Sequence, residues 1–461
     1  MGIHRLTISI ALTFAGAIFV FAQQKPNYEL AERFSAKKIS QMVHSTRVSP
    51  NWFRYSDKFW YQWKTSDGTQ YYIVDTKTGK KESVFDMERL AMELTSIVKD
   101  PFDAQHIPIR DIKLKEDKAF TFSIKSTVDE KDSVRIEKFG KKKVFSFRYD
   151  LTSKKLENIT GMEEDDKYPN WVNVSPDGET GIFAKNANLY WMDKENMEKA
   201  AKNEKDSTLV EHQITFDGTK DFFWGADNYK GWTEKDTTKR VMVWNLVWSP
   251  DSRHFATFKY DMSDVKELWV INSNTTPRPE LETYKYQMPG EPGPVEHLYV
   301  FNTKDMSRQK IKIYAFKDQS TSFEVQPTCT ADFWLGDDKC FYINRQSRDQ
   351  KRMDICRVDL GSDSTKTVIS ERMNTYVEAR PLRTVNGGQQ LIHWSERNGW
   401  ANLYMYNADG SLSHAIVEGA FHVDKVLAVN EKAGYILFST CGYNREENPY
   451  QMHTFRVGLD G

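Results

Sequence analysis

The sequence has little cysteine and no paired cysteine motif. Its 461 residues include four cysteines, Cys329, Cys340, Cys356 and Cys441, and no two of them are spaced as Cys-x-x-Cys. Zinc-ribbon and thioredoxin-like sites need that spacing, so neither is predicted. Four cysteines allow three disulfide connectivities, which the sequence leaves open, and a chain of this length does not depend on disulfides for its stability.

Catalytic motifs are also missing. The sequence contains no Gly-x-Ser triplet, so it has no Gly-x-Ser-x-Gly elbow, which carries the nucleophile of an α/β-hydrolase. It has neither a His-Glu-x-x-His motif nor a phosphate-binding glycine loop. No tract alternates strands with helices as a parallel sheet requires. We therefore predict no catalytic residue, no cofactor and no metal site in this chain.

The chain has no excess of charge of either sign. Lys and Arg number 64 against 65 Asp and Glu, which gives a formal net charge of −1. A protein that binds the phosphate backbone of nucleic acid needs a basic surface that neutralises several phosphates. Nucleic acid is therefore not a predicted partner.

Long apolar runs are confined to the N-terminus. His4 and Arg5 precede an apolar run at residues 6–21, and Ala22 follows it. The run is shorter than the roughly 20 residues of a membrane span, and a charged start with a small residue at the end is typical of a signal peptide. We predict a signal peptide at residues 1–22, cleaved after Ala22, and an exported protein, periplasmic or secreted, with no integral span after cleavage. An uncleaved membrane anchor is the alternative.

Aromatic residues, by contrast, are abundant. They make up 13% of the chain, with 13 Trp, 21 Tyr and 27 Phe, and they favour strands. Short aromatic runs alternate with polar residues and mostly end in Asp or Asn, which turn the chain. These runs are residues 71–75, 147–150, 189–193, 268–272, 298–302, 355–359, 403–407 and 455–457.

Turn motifs separate these predicted strands. Ser-Pro-Asp turns at residues 175–178 and 249–252, and an Asn-Gly-Gly turn at residues 386–388, begin new strand pairs. A repeat of about 40–50 residues with about four strands is typical of propeller blades. The uneven spacing requires long insertions, notably residues 196–237. The predicted fold is an all-β propeller, which fits the periodicity better than a large irregular β-sandwich.

Two segments have helical rather than strand periodicity. Residues 28–43 form an amphipathic pattern, which predicts a helix within an N-terminal arm at residues 23–50. Residues 86–98 place apolar side chains at steps of three and four, with Asp86 as the N-cap. The all-β fold therefore carries short helices near its N-terminus.

An ordered set of motifs extends over most of the chain. It comprises residues 171–178, the aromatic stretch 244–302 with Tyr-Lys-Tyr-Gln-Met-Pro-Gly at 284–290, residues 394–400 and residues 453–461. This set resembles the N-terminal β-propeller of the dipeptidyl-peptidase IV branch of the prolyl oligopeptidase family. The resemblance implies an eight-bladed propeller at residues 51–461, here incomplete at its C-terminal end, and a C-terminal α/β-hydrolase domain that is absent from this chain.

The resemblance also implies a place for substrate recognition. In the family the propeller narrows access to short peptides, and an adjacent pair of glutamates holds the free α-amine of the substrate. The matching segment, residues 228–241, offers Glu234 and Asp236 with one lysine between them instead of an adjacent pair. These two acids would share one face of a strand, diverge on a helical turn, or be exposed loop charges. An arginine expected near residues 138–143 is missing, and Arg135 lies just outside that tract.

The predicted function is therefore that of a gating region. The chain is expected to be the propeller of an exported dipeptidyl-peptidase-IV-like serine peptidase, inactive alone, with a peptide substrate or a separate hydrolase domain as partner. Members of the family often dimerise, so the resemblance is compatible with a homodimer but does not predict one. The alternative is a non-catalytic exported propeller that binds peptides or proteins. A propeller glycosidase would need paired carboxylates, and the sequence singles out no such pair.

Overall fold

The computed structural model describes residues 26–129, 142–161, 167–225, 239–326 and 333–461. The chain is 45% strand and 8% helix, which confirms the all-β prediction. It divides into two compact units, Met1–Glu164 and Asp165–Gly461.

The first unit contains two four-stranded antiparallel sheets and three helices in its described residues. The first sheet has the order β1 (Asn51–Trp52), β2 (Lys58–Thr65), β3 (Gly68–Asp75) and β4 (Lys81–Ser83). The second has the order β5 (Arg110–Lys115), β6 (Ala119–Asp129), β7 (Lys142–Asp150) and β8 (Leu156–Asn158). The helices are α1 (Tyr28–Arg33), α2 (Ala36–Met42) and α3 (Met87–Val98).

The helix predicted at residues 28–43 is two helices, so the prediction of a single element was wrong. Ser35 has an extended backbone, and its hydroxyl accepts a hydrogen bond from the Lys38 N–H at 3.5 Å. That capping bond starts α2 as a new helix, because an N-cap residue lies outside helical geometry. The second prediction is confirmed, since Asp86 caps α3 by accepting the Arg89 N–H at 3.1 Å.

The second unit contains five larger antiparallel sheets, one two-stranded hairpin and one helix, α4 (Lys194–Lys202), in its described residues. The first two sheets comprise β9 (Asn173–Val174), β10 (Thr180–Lys185), β11 (Asn188–Asp193) and β12 (His212–Gln213), then β13 (Phe222–Trp224), β14 (Val247–Trp248), β15 (His254–Asp261), β18 (Val295–Asn302) and β19 (Arg308–Ile311). The hairpin comprises β16 (Glu267–Asn272) and β17 (Glu280–Lys285).

The remaining three sheets follow in chain order. They comprise β20 (Ser320–Phe323), β21 (Cys340–Gln346), β22 (Arg352–Asp359) and β23 (Thr365–Arg372); β24 (Arg383–Val385), β25 (Gln390–Ser395), β26 (Asn402–Asn407) and β27 (Leu412–Val417); and β28 (His422–Asn430), β29 (Tyr435–Cys441) and β30 (Met452–Gly458). In each of them consecutive strands pair antiparallel, as in the blade pattern that the sequence predicts.

The aromatic runs and the turns are where the sequence places them. Every predicted run lies within a strand of the structure. The two Ser-Pro-Asp turns use the same hydrogen bond, with Ser175 Oγ donating to Asp177 at 2.6 Å and Ser249 Oγ donating to Asp251 at 2.7 Å. Local side-chain bonds of this kind fix the turn and therefore the register of the strands that follow.

The predicted insertion at residues 196–237 is only partly an insertion. Its described residues include most of α4, but also β12 and β13, each of which completes the edge of a sheet. The prediction was wrong here because strands of two and three residues are too short to show an alternating pattern.

The core of the second unit is built from large aromatic side chains between successive sheets. Trp224, Trp248, Phe255 and Phe301 are fully buried in one cluster, where the rings of Phe255 and Phe301 stack with centroids 4.7 Å apart. Aromatic packing of this kind contributes specific geometry in addition to buried area. This cluster supports the segment that forms the candidate site.

Three of the four cysteines lie in the described residues and all three are free thiols. Cys340 and Cys356 are buried, and Cys441 is half-buried. Cys329 lies outside the described residues. The structure therefore contains no disulfide among Cys340, Cys356 and Cys441. None of the helices in the described ranges combines the length and apolar character needed to cross a membrane.

Candidate functional site

The candidate site is a groove in the second unit, along residues 239–248. Three adjoining cavities of about 660, 550 and 520 Å³ lie against this segment, and Met242 lines all of them. Cavity A, the largest, is bounded by Trp171 and Arg240; cavity B by the turn at residues 175–178; and cavity C by Trp244 and β20. The three together are called the Met242 groove.

The floor of the groove is an extended stretch held from one side. The main chains of Val241 and Ala184 exchange two hydrogen bonds of 2.9 Å. The carboxamide of Asn173 then holds Val243, accepting its N–H at 2.8 Å and donating to its carbonyl oxygen at 3.2 Å. Successive side chains of an extended chain point to opposite faces. Val241 and Val243 are therefore buried, and Met242 points away from the core.

Met242 and Trp244 form the apolar surface of the groove. They remain 47% and 60% exposed, although both are large apolar side chains. Asn245 has a left-handed backbone with φ 58°, which asparagine tolerates better than most residues, and its side chain donates to the Tyr260 hydroxyl at 3.0 Å. The chain turns there and sends Leu246 back into the core. The two exposed side chains are thus fixed next to the cavities by buried neighbours on both sides.

Cavity A has an aromatic and charged wall. The Arg240 guanidinium lies 5.0 Å from the ring centroid of Trp171, within range of a cation–π contact. Arg240 also donates to Glu211 at 2.5 Å and to the main-chain carbonyl of Glu204 at 2.7 Å. The indole N–H of Trp171 donates to the Glu204 carboxylate at 2.8 Å. These bonds fix both the arginine and the tryptophan in one orientation.

Glu211 is the anion that balances this wall. Its carboxylate lies 2.9 Å from the Lys185 ammonium and 2.5 Å from the Arg240 guanidinium. Burial opposes ionisation, but hydrogen bonds from Lys185 and Arg240 hold the pKa of Glu211 below its ordinary value. Glu211 is therefore an anion shared between two cations.

A second acidic residue, Glu296, holds the wall of cavity C that β20 forms. Ser322 and Phe323 of β20 line cavity C, and the preceding Thr321 donates its N–H to the Glu296 carboxylate at 2.7 Å. Glu296 is partly buried, and its burial raises its pKa to about 7. At neutral pH this group is near the midpoint of its titration while it holds the wall of cavity C.

The two residues that the sequence predicts to bind an amine, Glu234 and Asp236, lie outside the described residues. So does most of the tract at residues 138–143, together with Arg135. The described part of the groove begins at Lys239, three residues beyond Asp236 in the sequence.

Sequence reasoning missed Asn173, Arg240, Met242 and Trp244. The only available signal was the apolar run Val-Met-Val-Trp at residues 241–244, which ends where the aromatic stretch begins. An apolar run alone does not show which of its side chains are left exposed.

Comparison with known proteins gives a consistent result. The profile of the family described as "Dipeptidyl peptidase IV (DPP IV) N-terminal region" matches residues 137–461. Dipeptidyl peptidase 4 of Arthroderma otae is 25% identical over 265 residues, which cover 54% of this chain and 32% of that protein. A probable dipeptidyl-aminopeptidase B of Neosartorya fischeri is 24% identical over 316 residues, which cover 62% of this chain and 31% of that protein.

The fold comparison agrees. The crystal structure of Porphyromonas gingivalis dipeptidyl peptidase 4 superposes with a TM-score of 0.53 at 18% identity, covering 95% of this chain and 55% of that one. A putative dipeptidyl aminopeptidase IV from Bacteroides ovatus gives 0.51 at 14% identity. The predicted β-propeller fold is thereby confirmed. The chain spans about a third of the length of the relatives it matches in sequence and about half of the structures it resembles.

Proposed function

Because the chain belongs to the family of the dipeptidyl peptidase IV N-terminal region, we propose that it is the substrate-gating propeller of an exported dipeptidyl-peptidase-IV-like serine peptidase. The observation that carries this proposal is the family match over residues 137–461. That range contains the whole 239–248 segment. In this role the Met242 groove holds a short peptide during its proteolysis.

Peptide binding by the groove is the direct test. Trp244→Ser removes the larger exposed apolar side chain, so the affinity for short apolar peptides should fall, by calorimetry or fluorescence anisotropy. The matched control is Trp400→Ser, because Trp400 is also exposed but lies in the turn between β25 and β26. Equal affinity of both variants and the wild-type chain would contradict the assignment of the groove.

The chain by itself is proposed to lack peptidase activity. Its sequence has no Gly-x-Ser triplet for a nucleophile elbow. The Ser-Asp-His set would come from a separate hydrolase domain. Chromogenic Xaa-Pro and Xaa-Ala dipeptide substrates should therefore remain uncleaved by the purified chain. Measurable release of the chromophore would refute this proposal.

Glu234 and Asp236 remain the proposed site for the substrate's α-amine. Two carboxylates that converge on a buried ammonium group would form charge-assisted hydrogen bonds with it. The double variant Glu234→Gln with Asp236→Asn should lose any preference for peptides with a free N-terminus over acetylated ones. Retention of that preference would show that other residues bind the amine.

We also propose a homodimer that uses the β16–β17 hairpin. On one face of this two-stranded sheet Trp269, Ile271 and Leu281 are 71%, 70% and 62% exposed. Two-stranded sheets are marginally stable alone, and an exposed apolar face of this kind favours association. Light scattering should show a dimer that Ile271→Ser dissociates, while Tyr450→Ser, at another exposed apolar position, leaves the mass unchanged.

Export is proposed from the apolar run at residues 6–21. N-terminal sequencing of the mature protein should begin at Gln23. An intact N-terminus in the membrane fraction would instead indicate the uncleaved anchor.

The alternative function is a non-catalytic exported propeller that binds peptides or proteins. It uses the same groove but needs no hydrolase domain. An antibody against this chain distinguishes the two in the source cells, because a peptidase would be detected at a mass well above the 53.7 kDa of these residues.

A further inference from the structure

We propose that cavity A is a carboxylate subsite, in which Lys205 and Lys239 bind the carboxylate of a peptide whose apolar side chain contacts Met242 and Trp244. The inference rests on the proposed function, since it names the class of peptide that the Met242 groove takes. That class is a short peptide with an acidic group close to an apolar residue.

The charges around cavity A favour an anion. The described residues that line it or contact its wall include four cations, Lys185, Lys205, Lys239 and Arg240, and two carboxylates, those of Glu204 and Glu211. Glu211 is shared between Lys185 and Arg240. Lys205 and Lys239 are exposed, and neither forms an ion pair with another described residue. Lys205 and Lys239 are therefore the cations at cavity A that no described carboxylate pairs, while the Glu204 carboxylate accepts the Trp171 indole N–H. Because the four cations exceed the two carboxylates by two, the net charge around cavity A favours an anion.

The hydrogen bonds of Arg240 leave the two lysines as the cations of cavity A that face a ligand. Arginine recognises a carboxylate or a phosphate through parallel N–H groups that bond two oxygens. In this wall the guanidinium of Arg240 already donates to Glu211 and to the Glu204 carbonyl, and it packs against Trp171. Lysine ammonium groups on flexible stems remain, and they act as point charges that accept a carboxylate whose position varies between peptides. Such point charges also bind phosphate, so inorganic phosphate is the competitor in the experiment.

The spacing of Lys239 and Met242 along the chain sets the distance between the carboxylate contact and the apolar contact of a bound peptide. Lys239 and Met242 are three residues apart and both line cavity A. Three residues of extended chain span about 10 Å. A bound peptide is therefore expected to carry its carboxylate within about three residues of the side chain that contacts Met242 and Trp244.

The experiment uses four tetrapeptides that share one leucine, measured by calorimetry against the full chain at low salt. The residue after the leucine is Glu or Gln, and the C-terminus is a free acid or an amide, so the set separates a side-chain carboxylate from a terminal one. We expect loss of the recognised carboxylate to weaken binding about 5- to 10-fold at low salt, and less in high salt.

Variants of Lys205 and Lys239 test whether these two lysines cause the preference for the acidic peptide. Lys205→Gln and Lys239→Gln together should remove the preference for the acidic peptide, so that the acidic and the neutral peptide bind this variant with equal affinity. Lys432→Gln is the matched control, because Lys432 is an exposed lysine in the turn between β28 and β29. The control variant should retain the full preference.

Each remaining outcome counts against the inference. Equal binding of acidic and neutral peptides overturns the carboxylate subsite, although the proposed peptide-binding function stands. Displacement of the acidic peptide by millimolar inorganic phosphate overturns the assignment to carboxylate. Failure of all four peptides to bind would contradict the proposed function itself.

Discussion

Replacement of Glu296 by glutamine should make the protein less sensitive to rising pH. Glu296 accepts the main-chain N–H of Thr321 at 2.7 Å, and its burial raises its pKa from 4.5 to about 7. The amide oxygen of glutamine can accept the same hydrogen bond, so the wall of cavity C keeps its support. The substitution removes only the ability of this side chain to ionise.

The sign and size of the effect follow from proton linkage. Between pH 4.5 and about 7 the folded chain retains a proton that the unfolded chain has released, so the free energy of unfolding falls as the pH rises. At 1.36 kcal/mol per pH unit, the loss reaches about 3 kcal/mol above pH 7. This value is an upper bound, because Glu296 retains some contact with solvent.

Urea unfolding, followed by tryptophan fluorescence at pH 5 and pH 8, measures the difference. The stability of the wild-type chain relative to Glu296→Gln should fall by about 2 kcal/mol between these two pH values. Other titrating groups cancel in this comparison, since both proteins share them. Glu267→Gln, at an exposed position on β16, should track the wild-type chain at both pH values.

Parallel stability curves of the wild type and Glu296→Gln between pH 5 and pH 8 would contradict this prediction, because they would mean that Glu296 ionises equally readily in the folded and the unfolded chain. A larger loss of stability in the variant than in the wild type as the pH rises would also contradict it, because Glu296 would then ionise more readily in the folded chain.

Three further predictions concern other parts of the second unit. Asp354→Asn should lower the free energy of unfolding by about 3 kcal/mol in urea titrations, because it leaves Arg345, buried and 2.9 Å from that carboxylate, without a counter-charge. Gly218→Ala should cost about 1–3 kcal/mol in the same assay, since an added methyl would lie 2.0 Å from a main-chain carbonyl oxygen. Cys340 and Cys356 should react with a thiol reagent only after unfolding, because both are buried and burial raises the pKa of Cys340 to about 11. Unchanged stability of either variant, or rapid labelling of the native protein, would contradict the corresponding prediction.

The repeating sheets could be predicted from the sequence because their signals are local. An aromatic strand such as β11 carries strand-favouring aromatic residues at Tyr190 and Trp191, and the exposed Asp193 ends it. The Ser-Pro-Asp turns likewise carry their own hydrogen bonds within two residues. Signals of this kind depend on neighbours in sequence, so they can be recognised before the fold is known.

The two elements that were predicted wrongly, the helix at residues 28–43 and the strand β12, lack such local signals. Ser35 interrupts an amphipathic pattern that continues across it, so periodicity alone gives one helix where the structure has two. The strand β12 consists of His212 and Gln213, which are not among the residue types that favour strands, and it pairs with β11.

The groove could not be predicted because its contacts are distant in sequence. Asn173 holds Val243 across 70 residues, and Glu296 holds Thr321 across 25. Nothing near Asn173 in the sequence indicates this partner. Glu234 and Asp236 were predicted from the resemblance alone, and they remain a prediction.

The hairpin that carries Trp269 lies between two strands of a larger sheet but pairs with neither of them. The strands β15 and β18, on either side of the excursion, pair directly with each other, with Asp261 opposite Val295. Their register is therefore set by their own ladder, and the length of the excursion changes only a slowly varying loop entropy. Chains with longer, shorter or differently decorated excursions beyond Val265 can keep the same sheet, so the proposed dimer contact and the proposed peptide groove can diverge independently.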